Sequence, residues 1–223
     1  MNLRVVPRTL LVLAALPGAT PLASAQGGPS RKPEGGLTRV DGAEATYRGG
    51  LVSPPLAKPE FVLTDTSGAR FDLRKQTQGS ITLLFFGYTN CPDMCPMQMS
   101  MISRALKSVR PELAKQFRVV FVTTDPDRDT PAALRTWLDH FDKGFIGLSG
   151  TQREIDAAQV AANLAPAKKI PVGSNGGYAV GHAAFIFAYT RDNLAHVVYP
   201  IGLKVEDWTH DLPYLAEETW TKP

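Results

Sequence analysis

The stretch Ile81-Thr82-Leu83-Leu84-Phe85-Phe86-Gly87-Tyr88-Thr89-Asn90-Cys91-Pro92-Asp93-Met94-Cys95-Pro96 decides how this chain folds. Ile81 to Phe86 is an almost unbroken apolar run, as expected of a strand covered on both faces. A turn follows. Pro92 suits the first position of a helix, where its missing N–H would have no partner anyway, so a helix is predicted from Pro92 to about Val109. Cys91 then falls near the N-cap and Cys95 almost one turn further on. Four helical residues advance the chain by about 6 Å, which puts both sulfurs on one side. The unpaired N–H groups and positive dipole end of a helix start favour a thiolate over a thiol. Pro96 removes an N–H from the second turn and predicts local bending.

These are the only two cysteines in the 223-residue chain. A disulfide across so short a loop removes little unfolded-state entropy, so a purely structural bridge is a poor use of the pair. Thiolate chemistry, with a soft metal or with another disulfide, fits better. Dithiol oxidoreductases of the thioredoxin type usually carry two residues between their cysteines; here there are three. Two thiolates alone are an incomplete site for most metals. A soft ligand set favours monovalent copper, and an added imidazole also suits divalent copper. Zinc could use the same atoms but normally takes four ligands in a structural site.

Outward from this motif, Phe61-Val62-Leu63 and Arg70 to Leu73 flank a Thr66-Ser67-Gly68 turn and read as a hairpin. Phe117 to Thr123 is a second buried strand. Pro131 to Phe141 is a helix with Thr130 as N-cap. A short strand follows at Ile146-Gly147-Leu148, then a helix from Gln152 to Asn163. Tyr178 to Tyr189 and His196 to Tyr199 read as a strand pair, and Val205 to Thr219 as a closing helix. This order implies an α/β fold, a thioredoxin-like mixed central sheet flanked by helices, with an added N-terminal β-hairpin. It occupies residues 51–223.

Residues 1–25 read as an export signal peptide: Arg4 and Arg8, a short apolar stretch from Leu10 to Leu16, a Pro17-Gly18 break, then Ala23-Ser24-Ala25. Residues 26–50 are rich in Gly, Pro, Ser and charge and read as a flexible linker. The chain is therefore expected to be exported, to a periplasm or the outer face of a cytoplasmic membrane. Removing residues 1–25 takes away two arginines and no acid, which lowers a net charge that is only +3. No basic cluster with interleaved aromatics is present, so nucleic acid is an unpromising partner.

Gly87 to Pro96, then Thr124-Asp125-Pro126-Asp127-Arg128-Asp129-Thr130-Pro131, then Gly181-His182 before an apolar strand, together resemble the Sco/SenC proteins. The resemblance covers roughly residues 50 to 218. It implies a copper-binding metallochaperone that holds its ion through two cysteines and one histidine, here Cys91, Cys95 and His182. The implied partner is cytochrome c oxidase subunit II, whose binuclear copper site would receive the ion. Another copper carrier or a thiol reductant would complete the cycle, and the chain would act as a monomer. Asp125 resembles the acid of the family's Asp-Pro loop and is expected beside the site. Asp127 and Asp129 read as a solvated capping turn. The sequence departs from the family at Gly181-His182-Ala183, where an acid and a hydroxyl commonly flank the histidine, which puts the support of the imidazole in question. Met94, Met97, Met99 and Met101 are soft thioethers, but their alternating positions do not share a helix face; gap-filling or exposure is the better reading. The alternative function is an enzyme, a periplasmic thiol–disulfide oxidoreductase with Cys91 as nucleophile.

Overall fold

The computed structural model describes residues 47–173 and 176–217. The export-signal segment and most of the linker segment lie outside these residues. Ten strands and six helices follow in order: β1 Gly50–Ala57, β2 Val62–Asp65, β3 Arg70–Asp72, α1 Leu73–Gln76, β4 Ile81–Gly87, α2 Met94–Ser108, α3 Pro111–Ala114, β5 Phe117–Thr123, α4 Pro131–Asp139, β6 Ile146–Ser149, α5 Gln152–Ala161, β7 Lys168–Val172, β8 Gly177–Gly181, β9 Ile186–Tyr189, β10 Leu194–Tyr199 and α6 Val205–Glu217. Eight strands form one sheet in the order β1-β10-β9-β4-β5-β6-β2-β3, while β7 and β8 form a separate ribbon. Strands β4, β5 and β6 run parallel; the other pairings are antiparallel. The fold is the expected mixed sheet, and β2–β3 is the expected hairpin.

The apolar run is continuous because β4 lies near the centre of the sheet and serves two cores. Ile81, Leu83 and Phe85 face a core shared with α2, α4 and α6, whereas Leu84 and Phe86 face one shared with α1 and α5. One strand thus needs apolar residues at both parities. Helix α2 buries Cys95, Gln98, Met99, Ile102 and Ala105, spaced by three and four residues as one helix face requires. Met99 is fully buried, and Met94 and Met101 pack partly against the same core; these methionines fill space.

Three expectations are corrected. Ordered chain reaches back before Leu51: Tyr47 is buried, and the Arg48 and Gly49 N–H groups donate to the Asp211 carboxylate at 2.9–3.0 Å. The expected strand from Tyr178 to Tyr189 is two strands, β8 and β9, broken at 182–185. β9 joins β4 and β10, whereas β8 pairs with β7. Helix α2 starts at Met94, with Asp93 as N-cap. The first bond of the helix runs from Met97 N–H to Asp93 C=O, 3.2 Å. Pro96 then lies in the first turn, where an N–H would have no helical partner, so it does not bend the helix. Among the described residues no helix is long and apolar enough to cross a membrane.

Candidate metal centre

The three predicted donors come from the carboxyl end of β4 and from the far end of the ribbon. Beyond Gly87 the chain turns, with Cys91 N–H donating to Tyr88 C=O, and delivers Cys91 just ahead of α2. Cys95 is the second residue of that helix. The Cys91 sulfur accepts the Cys95 N–H at 3.4 Å, so it takes over a capping duty that Asp93 does not perform with its side chain. Cys91 thus lies near the N-cap, as expected, two residues ahead of it. No disulfide joins the two cysteines.

The two sulfurs are electrostatically unequal. Hydrogen bonding from Cys95, then from backbone N–H groups at the helix start, lowers the Cys91 pKa to about 5 against the opposing effect of burial. Cys95 moves the other way: its bond to the Cys91 sulfur and its burial keep its proton on. Cys91 is the thiolate and Cys95 the thiol of the pair. The rate of Cys91 alkylation in the reduced protein should therefore rise with pH through a midpoint near 5, well below the ~8.5 of a free cysteine. Stopped-time labelling with iodoacetamide across pH 4–9 checks this; a midpoint above 7 would contradict the assignment.

Gly87 lets Cys95 sit where it does. A Cβ there would lie 2.8 Å from the Cys95 sulfur and 2.9 Å from the Phe121 ring, well inside contact distance. Phe121 is braced in turn by Phe85, Trp137 and Phe141, with successive ring centroids 4.9–5.7 Å apart. Each such aromatic pair adds about 0.5–1.5 kcal/mol beyond its buried area, so the floor of the site is stiff. Access is narrower than a loop site suggests: Cys95 is fully covered, Cys91 is 8% exposed and His182 is half-buried.

His182 stands immediately after β8, and its Nε2 is 3.8 Å from the Cys95 sulfur. The pair is 87 residues apart in sequence. Nδ1 donates to the Ala183 carbonyl at 2.9 Å, which fixes the tautomer and leaves the Nε2 lone pair facing sulfur. That carbonyl does for the ring what the missing flanking acid was expected to do. Beside Gly181, the space of a Cβ is filled by the Ile170 side chain of the facing strand, 2.8 Å away. Tyr88 and Phe85 meet the imidazole edge-on at 5.7 and 6.2 Å.

With metal–ligand bonds of about 2.0–2.3 Å, a nitrogen and a sulfur on one ion stand about 3.6–3.8 Å apart. The Cys95–His182 separation meets that spacing. Among the described residues no group of three or more His, Cys, Asp or Glu side chains is already gathered as a metal cage. Binding by all three donors therefore requires them to stand closer together than they do here.

Asp125 is buried. It pairs with Arg128 and accepts a 2.9 Å bond from the Tyr178 hydroxyl. Asp129 is not solvated, contrary to expectation. Its buried carboxylate accepts from Thr89 N–H at 3.0 Å, Thr89 Oγ1 at 2.5 Å and Thr123 Oγ1 at 2.6 Å, tying the turn before Cys91 to β5. Sequence spacing alone does not show that Asp127 faces out and Asp129 in. His196 and His210, on β10 and α6, contact Asp192 and Asp211, each at 2.8 Å.

Comparison with known proteins follows the same lines. The family model described as SCO1/SenC matches residues 52–217. The chain belongs to this family. A relative in Stutzerimonas stutzeri, provisionally named a copper-binding protein, is 35% identical over 163 residues, covering 72% of this chain and 78% of its own length. The SCO2-like protein RC0895 of Rickettsia conorii is 37% identical over 100 residues, 43% of this chain and 46% of the relative. Bradyrhizobium japonicum ScoI, solved with copper bound, superposes with a TM-score of 0.63 at 34% identity, covering 72% of this chain and 99% of that one. The thioredoxin-like Sco architecture is thus shared along most of the chain.

Proposed function

We propose that this SCO1/SenC protein is a copper carrier, in which Cys91, Cys95 and His182 hold the ion and pass it to the copper site of cytochrome c oxidase subunit II. The single observation that supports it most is the 3.8 Å approach of His182 Nε2 to the Cys95 sulfur. A ring with its Nδ1 proton engaged and its Nε2 lone pair aimed at a thiol is set up as a ligand. Two sulfurs and an imidazole form a soft set suited to copper in either oxidation state, which agrees with the copper-bound ScoI relative. Copper is cargo here, not a resident catalyst. The cycle begins with the reduced pair; Cys91 supplies the standing thiolate, and Cys95 loses its proton as copper binds. Release proceeds by stepwise exchange with the acceptor's ligands, and no substrate is chemically converted. The export reading of residues 1–25 places the protein on the side of the membrane where such an acceptor would be met.

The test is to add Cu(I), and separately Cu(II), to reduced mature protein and measure bound metal and the absorption spectrum. One ion per chain is expected, with a thiolate-to-copper charge-transfer band for Cu(II). No stoichiometric binding would favour the thiol–disulfide oxidoreductase, which the low Cys91 pKa also suits.

A further inference from the structure

His182 belongs to no strand of the main sheet, so something other than the sheet ladder has to hold it opposite the thiols. It follows directly on β8, and β8 pairs with β7. Tyr178 and Val180 alternate along β8 and so share a face, and His182 is the first residue past the strand's end. Val180 is buried in the core beneath that face.

Tyr178 is where the ribbon is joined to the body at several atoms at once. Arg128 Nη1 donates to the Tyr178 carbonyl at 3.1 Å, while the guanidinium lies 3.8 Å from the centroid of the Tyr178 ring. The Tyr178 hydroxyl donates to Asp125, which also pairs with Arg128 Nε. One carbonyl, one ring face and one hydroxyl fix height, tilt and lateral position. The same guanidinium stands 5.7 Å from the Tyr88 ring, which itself meets His182 edge-on. Lys169, across the ribbon, pairs with Asp127 at 2.5 Å and lies 5.0 Å from the Tyr178 ring. These contacts connect the Asp-Pro loop after β5 to the histidine strand; of the turn that carries the cysteines, Arg128 meets the Tyr88 ring.

We propose that Arg128 and Tyr178 are positioning residues that set His182 in place for metal, acting through the β7–β8 ribbon. The inference rests on the copper-carrier reading for its metal readout, and on geometry alone for its second. Outer groups that orient a metal-bound histidine typically contribute 10- to 100-fold in affinity, and that range is expected here. Tyr178→Ala and Arg128→Gln should each weaken Cu(I) binding by about that factor in competition with a chromogenic Cu(I) chelator. Tyr178→Phe keeps the ring face and the carbonyl and should lose much less. Cys91 alkylation should stay within about twofold of wild type in all three. In the metal-free protein, the His182 ring nitrogen signals by NMR should move toward a mixture of tautomers, and β8 amides should exchange faster.

Copper affinity and metal-free His182 signals both matching wild type in folded Tyr178→Ala would overturn the proposal. So would a parallel loss of affinity and Cys91 reactivity, which marks general damage. Should Tyr178→Ala fail to fold, Arg128→Lys, which keeps the charge but not the fork of donors, carries the same comparison. Absence of copper binding in the wild type would refute the carrier reading. The metal-free NMR comparison would then still decide whether this joint positions His182.

Discussion

His182→Ala should lower copper affinity more than 100-fold, which is at least about 2.7 kcal/mol, while Cys91 continues to react with a disulfide peptide at close to its normal rate. The magnitude follows from the histidine's place. Groups that merely support a ligand account for up to about 100-fold, and His182 is the proposed ligand itself. The selectivity follows from separate anchorage. The Cys91 thiolate is maintained by Cys95 and the N–H groups that open α2, none of which touches the imidazole except through the Cys95 sulfur. Alanine removes a half-buried ring packed edge-on against Tyr88 and Phe85, so some loosening of the ribbon is expected, but the cysteine turn is held from the other side by Asp129. The measurement is Cu(I) competition alongside thiol–disulfide exchange on the same preparations. Unchanged copper affinity would remove His182 from the site and leave the oxidoreductase as the better account.

Much of the site could be read before any coordinates, for a physical reason. A continuous apolar run ending in a turn and a proline-marked helix start can occupy few places in a sheet, and β4 and β5 fall as expected because both lie inside the sheet, where sequence and burial agree. The cysteines were legible because two sulfurs at such a junction have little structural use. His182 is not legible from spacing; it needs the family resemblance, because it stands 87 positions from Cys95 with four strands between them. The ribbon itself is not legible in the sequence. β7 is Lys-Lys-Ile-Pro-Val, exposed along its whole length, so it carries no alternation of apolar and polar residues to read. Once β7 is missed, β8 merges with β9, and the break that frees His182 from the ladder disappears with it. Asp129 departs from expectation for a similar reason: in a loop, which of several acids turns inward is set by tertiary partners, here Thr89 and Thr123, and not by period.

The second large effect concerns the sulfurs taken one at a time. Cys95→Ser and Cys91→Ser should each abolish the thiolate-to-copper band of the wild-type complex and lower affinity more than 100-fold, because a hard hydroxyl does not replace a soft thiolate toward copper. The two variants should part company in thiol chemistry. Cys91 holds the low pKa and is the residual opening to solvent, whereas Cys95 is fully covered and keeps its proton. Cys91→Ser should therefore be nearly inert to iodoacetamide at pH 7. Cys95→Ser should still react, though with a midpoint moved upward, since the largest influence lowering the Cys91 pKa is the hydrogen bond from Cys95. A serine hydroxyl can donate a similar bond, so the expected displacement is smaller than for Cys95→Ala, which donates none. Mass-resolved labelling of the three variants orders them: Cys95→Ser nearest to wild type, Cys95→Ala further toward an ordinary cysteine, Cys91→Ser unreactive. Equal reactivity of Cys91→Ser and Cys95→Ser would mean that the sulfurs exchange roles freely. The unequal pair, and with it a resting state having one thiolate ready to capture copper, would then have to be given up.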